Sequence, residues 1–328
     1  MKEKPPSFYK IKEVDSLEIL SLVDNSIELF CLSERIEVKT FRNWKQKRFL
    51  KKGIIEHTNL PLAEHGFSMF IRVIRRGKLH NILFDTGSTS KVILENIELM
   101  DIQTNKIECI ILSHGHYDHS GGLLYLIEAI HKIDLPVILH EDMFKTRGVI
   151  KSDGTIRRYP EFPIKKSSRF AKLIITKKPS LFLDNMLLIT GEIPRETNFE
   201  KGYQQHRILK NGLWQPDVEI LDDRALIINL KNKGLVIFSG CAHSGIINTL
   251  KYAIKITGIS KIYAVIGGFH LSGKNTEQRI KKTIQEIQSI NPEIIIATHC
   301  TGWQAKCKMA NLMPKKFVWN SVGNLYKL

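Results

Sequence analysis

Apolar and polar positions along the chain fall into strand-length runs, each closed by a turn of small or polar residues. Residues 17–23 read as a first strand ending at Asp24-Asn25-Ser26, and 67–74 with 80–84 predict a hairpin joined by Arg75-Arg76-Gly77-Lys78. That hairpin runs into Asp85-Thr86-Gly87. A helix is predicted over 90–99 and a short buried strand over 107–112. Leu123, Leu124, Leu126, Ile127 and Ile130 then recur at helical spacing within 121–132, with Ser120 in the cap position, and 136–140 read as another strand. Between 27 and 62 the pattern is mixed and basic; Phe41 and Trp44 stand out as anchors, but no element is assigned.

From about 141 to 215 the periodicity weakens into a basic, aromatic, turn-rich stretch with short strand candidates at 173–176 and 186–190. It is expected to be a long insertion that covers something. Order returns with strands at 225–230 and 235–239, joined by a Lys-Asn-Lys-Gly turn, and a helix carrying Ile246, Ile247, Leu250, Ala253 and Ile254. Further strands are predicted at 261–266 and 293–297. Between them lies a helix over 275–290, with Asn275 and Gln278 spaced as a capping box. Two βββα-rich halves of this kind predict an α/β fold: two mixed sheets packed face to face with helices outside. Residues 1–16, Lys-rich and Pro-containing, are expected to be a loose leader to a single domain over 17–328.

The 328 residues, 43% hydrophobic and 25% charged, can bury a sizeable core. The longest apolar runs are strand-sized, below the roughly 18 residues that a membrane span needs. No apolar segment follows Met1-Lys2-Glu3-Lys4, so a soluble, non-exported protein is expected. Five widely spaced cysteines without a CxxC pair fit a reducing cytoplasm. The formal charge of +16 fits either a Lys-rich solvated surface or attraction of an anionic substrate. Nucleic acid is the weaker partner, because the basic residues form no stripe interleaved with aromatics. The oligomeric state has no signature in the sequence.

The chemistry concentrates in Ser113-His114-Gly115-His116-Tyr117-Asp118-His119-Ser120-Gly121-Gly122. Three imidazoles and a carboxylate in six residues are more than a core or an ordinary polar loop requires. His114 and His116, two apart in extended backbone, point the same way and can grip one cation. Asp118 and His119, where the chain turns into a helix, face a second position. Three more strand ends carry a histidine: His243 in Gly240-Cys241-Ala242-His243-Ser244-Gly245, His270 in Gly267-Gly268-Phe269-His270, and His299 in Thr298-His299-Cys300-Thr301-Gly302. If these ends share one edge of the sandwich, six of the twelve histidines converge.

Phe84-Asp85-Thr86-Gly87 followed by His114-Gly115-His116-Tyr117-Asp118-His119 resembles the first two motifs of the metallo-β-lactamase superfamily. The resemblance implies an αββα four-layer sandwich. The later loops, with the 191–195 segment and Phe199-Glu200, are similar to the branch of 7,8-dihydropterin-6-methyl-4-(β-D-ribofuranosyl)aminobenzene-5'-phosphate synthases. It implies His114 and His116 at a first metal, Asp118, His119 and His299 at a second, and Asp85 orienting a ligand. Two departures stand out. The usual third histidine is absent near Asp222-Asp223-Arg224, and Cys241 replaces the usual bridging aspartate.

His243 can stand in for the missing imidazole, whereas Cys241 is either a ligand or a small packed residue. Asp118 and His270 are the candidate catalytic groups, Asp118 as orienter or proton acceptor. His270 is open among substrate binding, proton transfer and packing. Arg195 and Glu200 are candidate substrate contacts, and Arg157, Arg158, Tyr159, Tyr203 and Arg207 make the basic insertion a candidate lid. The cofactor expected is one or two divalent metal ions, zinc first, with manganese or iron as alternatives. Such an ion brings the pKa of coordinated water toward about 7 for hydrolysis, or polarises a phosphate-bearing leaving group in a transferase. The expected function is therefore a metal-dependent enzyme acting on a phosphorylated or anionic small molecule, with pterin-type synthase activity implied by the resemblance. The rivals are a hydrolase of a phosphoester, ester or lactone, a nuclease on the same fold, and a metal-binding sensor without turnover.

Overall fold

In a computed structural model of the chain, describing residues 8–30, 35–49, 59–163, 171–273 and 276–328, the apolar runs become the strands of two facing sheets. The first half contributes β1 (Glu13–Val14), β2 (Ser16–Val23), β3 (Val38–Lys39), α1 (Phe41–Phe49), β4 (Ser68–Arg75) and β5 (Lys78–Phe84). It continues with α2 (Ser90–Leu99), β6 (Ile107–Ile111), α3 (Tyr117–Ser120), α4 (Leu123–Ile130) and β7 (Leu135–Leu139). The middle holds β8 (Arg147–Ile150), β9 (Ile156–Arg158), β10 (Ala171–Ile175), β11 (Ser180–Phe182), β12 (Leu187–Ile189), β13 (His206–Lys210) and β14 (Leu213–Pro216). The last part adds β15 (Ala225–Leu230), β16 (Gly234–Ser239), α5 (Ile246–Thr257), β17 (Ile262–Gly268), α6 (Ile280–Ile290), β18 (Ile294–Thr298), α7 (Trp303–Leu312) and β19 (Leu325–Lys327).

The first sheet runs β10-β7-β6-β5-β4-β2-β19-β3, and the second runs β11-β12-β15-β16-β17-β18 with β1 added beside β15. Successive side chains on a strand point to opposite faces, so each apolar run feeds two cores. Met69, Ile71 and Val73 of β4 point between the sheets and meet a layer containing Leu226, Ile228, Val236 and Phe238. Phe70, between them in sequence, joins the outer layer with Ile93 and Ile97 of α2 and Leu126 of α4. On the far side Leu235 and Ile237 pack with Leu250 of α5 and Ile284 of α6. Helix, sheet, sheet, helix is the expected αββα order.

Three expectations change. Residues 8–16 are not loose: the Tyr9 backbone N–H donates to the Ile256 carbonyl at 2.8 Å, and β1 pairs in parallel with Asn229 and Leu230. The 141–215 stretch is not one excursion either. β10 extends the first sheet beside β7, and β11 and β12 extend the second beside β15, leaving only β8, β9, β13 and β14 as a separate antiparallel sheet. Short strands with mixed burial give weak periodicity, which is why the pattern faded there. Finally, α6 begins at Ile280 after a 3-10 turn over Glu277–Arg279, and Asn275 of the expected capping box lies outside the described residues.

In the unassigned 27–62 stretch, α1 is held by its two anchors. Phe41 and Trp44 pack edge to face at 5.6 Å, and the Trp44 indole donates to the Gly323 carbonyl at 2.8 Å.

Candidate metal centre

β5 and β6 run parallel in one sheet, and β16, β17 and β18 run parallel in the other, so their carboxyl ends share an edge. Loops leaving the carboxyl ends of parallel strands are where open α/β sheets build their sites. Four non-glycine residues in these loops hold left-handed backbone: Asp85 (φ 59°), Ala242 (φ 54°), His270 (φ 45°) and His299 (φ 45°). Each costs on the order of 1–3 kcal/mol, which the surrounding packing sustains and which aims the side chains.

Two buried clusters result. In the first, His114 Nε2 lies 3.0 Å from His116 Nδ1, and His243 Nε2 lies 3.2 Å from each. In the second, Asp118 Oδ2 is 3.3 Å from His299 Nε2 and 3.9 Å from His119 Nε2. Cys241 belongs to both: its sulfur is 3.1 Å from His119 Nε2. It also forms, with His114 and His243 on one side and His119 and His299 on the other, groups whose ligand atoms all fall within 4.8 Å. Bonds of about 2.0–2.3 Å in tetrahedral geometry separate ligand atoms by roughly 3.3–3.8 Å, so this donor set fits a divalent cation in each cluster. His299 Nε2, buried and facing the second cluster without a well-formed protein hydrogen bond, fits the same reading of a site built for more than protein contacts.

The charges agree. Burial, reinforced by neighbouring imidazoles, pushes His114, His116 and His243 well below the ordinary histidine range, leaving lone pairs for a metal. Burial alone would raise Asp118, but His119, His299 and His65 outweigh it and hold the carboxyl well below its usual range. Burial opposes charge on His299 too, yet Cys300 and Asp118 push it up to about 9.

Behind the ligand atoms a second layer fixes orientation. Asp85, completely buried, accepts from the Ser113 backbone and hydroxyl at 2.7 Å each and lies 2.7 Å from His119 Nδ1. It orients His119, leaving Nε2 toward the cluster. Asn25 Oδ1 does the same for His299 Nδ1 at 2.9 Å. The Asp222-Asp223-Arg224 triplet braces the loops. Asp222 takes two bonds from Arg147, at 2.5 and 2.7 Å, and one from Gly115 N at 2.8 Å, while Asp223 accepts from Ser244 N at 2.9 Å and its hydroxyl at 2.6 Å.

Above the clusters opens a cavity of about 450 Å³. Arg157, Tyr159 and Tyr203 from the insertion line it opposite Trp303 and Lys306 of α7, with His270 on the wall beside His243. Two expected substrate contacts lie elsewhere. Glu200 accepts from Ile247 N at 3.0 Å and Asn248 N at 2.8 Å, neutralising the open N–H groups at the start of α5, as a buried carboxylate at a helix N-terminus does. Arg195 does not line the cavity; it is attracted electrostatically by Asp223 and Glu219 instead. Arg158 and Arg207 also turn away, to Glu161 and to the Gln204 carbonyl.

Sequence reasoning missed three histidine neighbours. His65 Nε2 sits 3.4 Å from Asp118 Oδ2 at the mouth of the cavity. His206 Nε2 sits 2.9 Å from His116 Nε2. Asn25 was read only as a turn signal.

Residues 63–187 match the family model of the metallo-β-lactamase superfamily, a span that includes Asp85 and the 113–122 loop. Over 275 residues the chain is 35% identical to a Methanocaldococcus jannaschii protein, covering 81% of this chain and 90% of the relative. That relative is named 7,8-dihydropterin-6-methyl-4-(β-D-ribofuranosyl)-aminobenzene-5'-phosphate synthase. The chain belongs to the metallo-β-lactamase superfamily. An uncharacterised protein of the same archaeon is also 35% identical, over 80% of this chain and 93% of its own length. A solved metal-dependent hydrolase of the β-lactamase superfamily superposes with a TM-score of 0.70 at 23% identity, covering 95% of this chain and 98% of the other. The metallo-β-lactamase fold protein YhfI from Bacillus subtilis gives 0.52 at 11% identity, over 96% and 100%. These two likenesses bear on the fold. The metallo-β-lactamase superfamily generally binds divalent metal ions, and the His, Cys and Asp groups of this chain are suited to one.

Proposed function

We propose that this chain is a two-metal enzyme that acts on a phosphorylated aromatic small molecule, with the synthase reaction of its named relative as the leading activity. The observation that carries the reading is the joint lining of one cavity. Its floor is the pair of ligand clusters, and its walls carry Arg157 and Lys306, each a cation lying over the ring of Tyr159 or Trp303, together with Tyr203, so charge for an anion and aromatic surface for a ring stand side by side. Zinc is the metal of choice for this nitrogen and sulfur set.

His114, His116 and His243 would hold one ion and Asp118, His119 and His299 the other, with Cys241 between. Bound there, the ions would supply Lewis-acid polarisation of a leaving phosphate, or activation of water in a hydrolase. The protein's own groups do the rest. Arg157 and Lys306 orient the anionic end, the tyrosines and Trp303 flank the ring and exclude water, and Asp118, beside His299 and His65, orients the attacking group. His270, its ring 4.4 Å from that of His243, is the proton carrier on the cavity wall. The sandwich acts as one domain, with the four-stranded sheet as its lid. The enzyme works in the cytoplasm, where a thiol such as Cys241 stays reduced. No helix among the described residues is long and apolar enough to cross a membrane.

The test is a matched-load activity comparison. Zinc-loaded protein should couple a dihydropterin methyl pyrophosphate to a ribofuranosylaminobenzene phosphate with release of pyrophosphate, and Arg157→Ala should raise KM about tenfold or more, the loss of one charge-assisted bond. Turnover of phosphodiesters or lactones with no coupling would replace this reading by the hydrolase.

A further inference from the structure

His206 opens β13 of the four-stranded sheet and is completely buried, yet it reaches the ligand loop of a different sheet. Its Nδ1 lies 3.0 Å from the Asp217 carbonyl and 3.2 Å from Asp217 Oδ2. A carbonyl and a carboxylate only accept, so Nδ1 carries a proton. In the neutral ring Nε2 is then an acceptor, and it faces His116 Nε2 at 2.9 Å. Starting from the other end gives the same answer. If His116 Nδ1 gives its lone pair to a cation shared with His114 and His243, its one proton must sit on Nε2 and needs an acceptor. His206 Nε2 supplies it.

We propose that His206 is the positioning residue that fixes the tautomer and ring rotation of His116 for metal binding, and so couples the four-stranded sheet to the metal centre. This rests on the reading of His116 as a ligand. The relay does not stop at His206. Asp217 is held by Arg147 Nε at 3.1 Å, Arg147 grips Asp222, and Asp222 accepts from Gly115 N beside the two ligating histidines. A path that leaves the ligand loop through a side chain and returns through its backbone holds His116 from both sides. Because the coupling is reciprocal, whatever seats the sheet tightens the metal, and the metal helps seat the sheet.

The test uses the full chain, stripped of metal and titrated with zinc in competition with a chromophoric chelator, for wild type, His206→Ala and His206→Gln. Thermal unfolding of each metal-free protein is followed in parallel. His206→Ala should weaken one zinc equivalent 10- to 100-fold, the usual cost of losing an outer partner of a ligating histidine, and leave the other equivalent within about threefold. His206→Gln, whose Oε1 can accept from His116, should recover most of the loss. Wild-type affinity in His206→Ala overturns the proposal. So does a glutamine variant as weak as the alanine one with an unfolding midpoint lowered to match, which makes the role structural. Should the alanine variant not fold, the glutamine variant decides: near wild-type affinity supports the proposal and loss of the equivalent overturns it. A wild-type chain that takes up no zinc fails the metal reading itself, and this inference with it.

Discussion

Cys241→Ala is expected to lose at least one metal ion per chain and more than about 100-fold of the turnover, while the metal-free protein loses only about 1 kcal/mol of stability. An outer partner of a ligand typically costs 10- to 100-fold, and Cys241 stands inside both clusters, so its removal should cost more. Burial pushes its thiol well above the ordinary range, so without a cation the sulfur is an uncharged, packed group. Trimming it to a methyl then removes little from the fold, and changes of that size cost about 1 kcal/mol. Cys241→Asp should regain metal and part of the turnover, because a carboxylate at this position can span two cations. Metal analysis, turnover and urea denaturation of the three proteins check this. Full metal content and turnover in Cys241→Ala would make Cys241 a packing residue.

Gly267→Ala is expected to cost more than about 4 kcal/mol, a large part of the roughly 5–15 kcal/mol that keeps a domain folded. Gly267 pairs with Ser239 across β16 and β17 at φ 125°, a region that side chains rarely enter, and a Cβ there would lie 1.8 Å from the Ser239 carbonyl oxygen. Neither atom can yield, since both belong to paired backbone. The close approach is also what joins the loops: Gly268 N donates to the Gly240 carbonyl at 3.0 Å, which holds the Cys241 turn beside the His270 turn. Gly154→Ala is the control. At φ 81°, with nothing near its Cβ, it should lose only the backbone preference, about 1 kcal/mol. Urea midpoints compare the two, and equal values would contradict the account.

Much of this was legible because it repeats. The apolar runs were continuous and strand-length, as strands buried on both faces require, and the helices carried a period near four, so the four layers followed. The histidines at successive strand ends pointed to one edge because parallel strands must emerge there together. What stayed hidden has no repeat. His206 lies between Tyr203 and Arg207, both noted as lid residues, yet only the fold brings it to His116 across 90 residues of chain. Asp222 and Asp223 were noticed only where a histidine was missing, although their carboxylates brace both ligand loops. Glu200 was misplaced for the opposite reason: a carboxylate in a polar run has the same appearance whether it meets a substrate or the open end of a helix. The residues before Ser16 were read from composition, which says nothing of the β15 backbone that Glu13 and Val14 complete.

The central claim is that two cations share Cys241 at the edge of the sandwich. It is tested most directly by titrating metal-stripped wild-type protein with zinc and measuring bound metal by elemental analysis. Saturation at two equivalents per chain is expected, with both lost from Cys241→Ala more readily than from wild type. Saturation at one equivalent or none would contradict it.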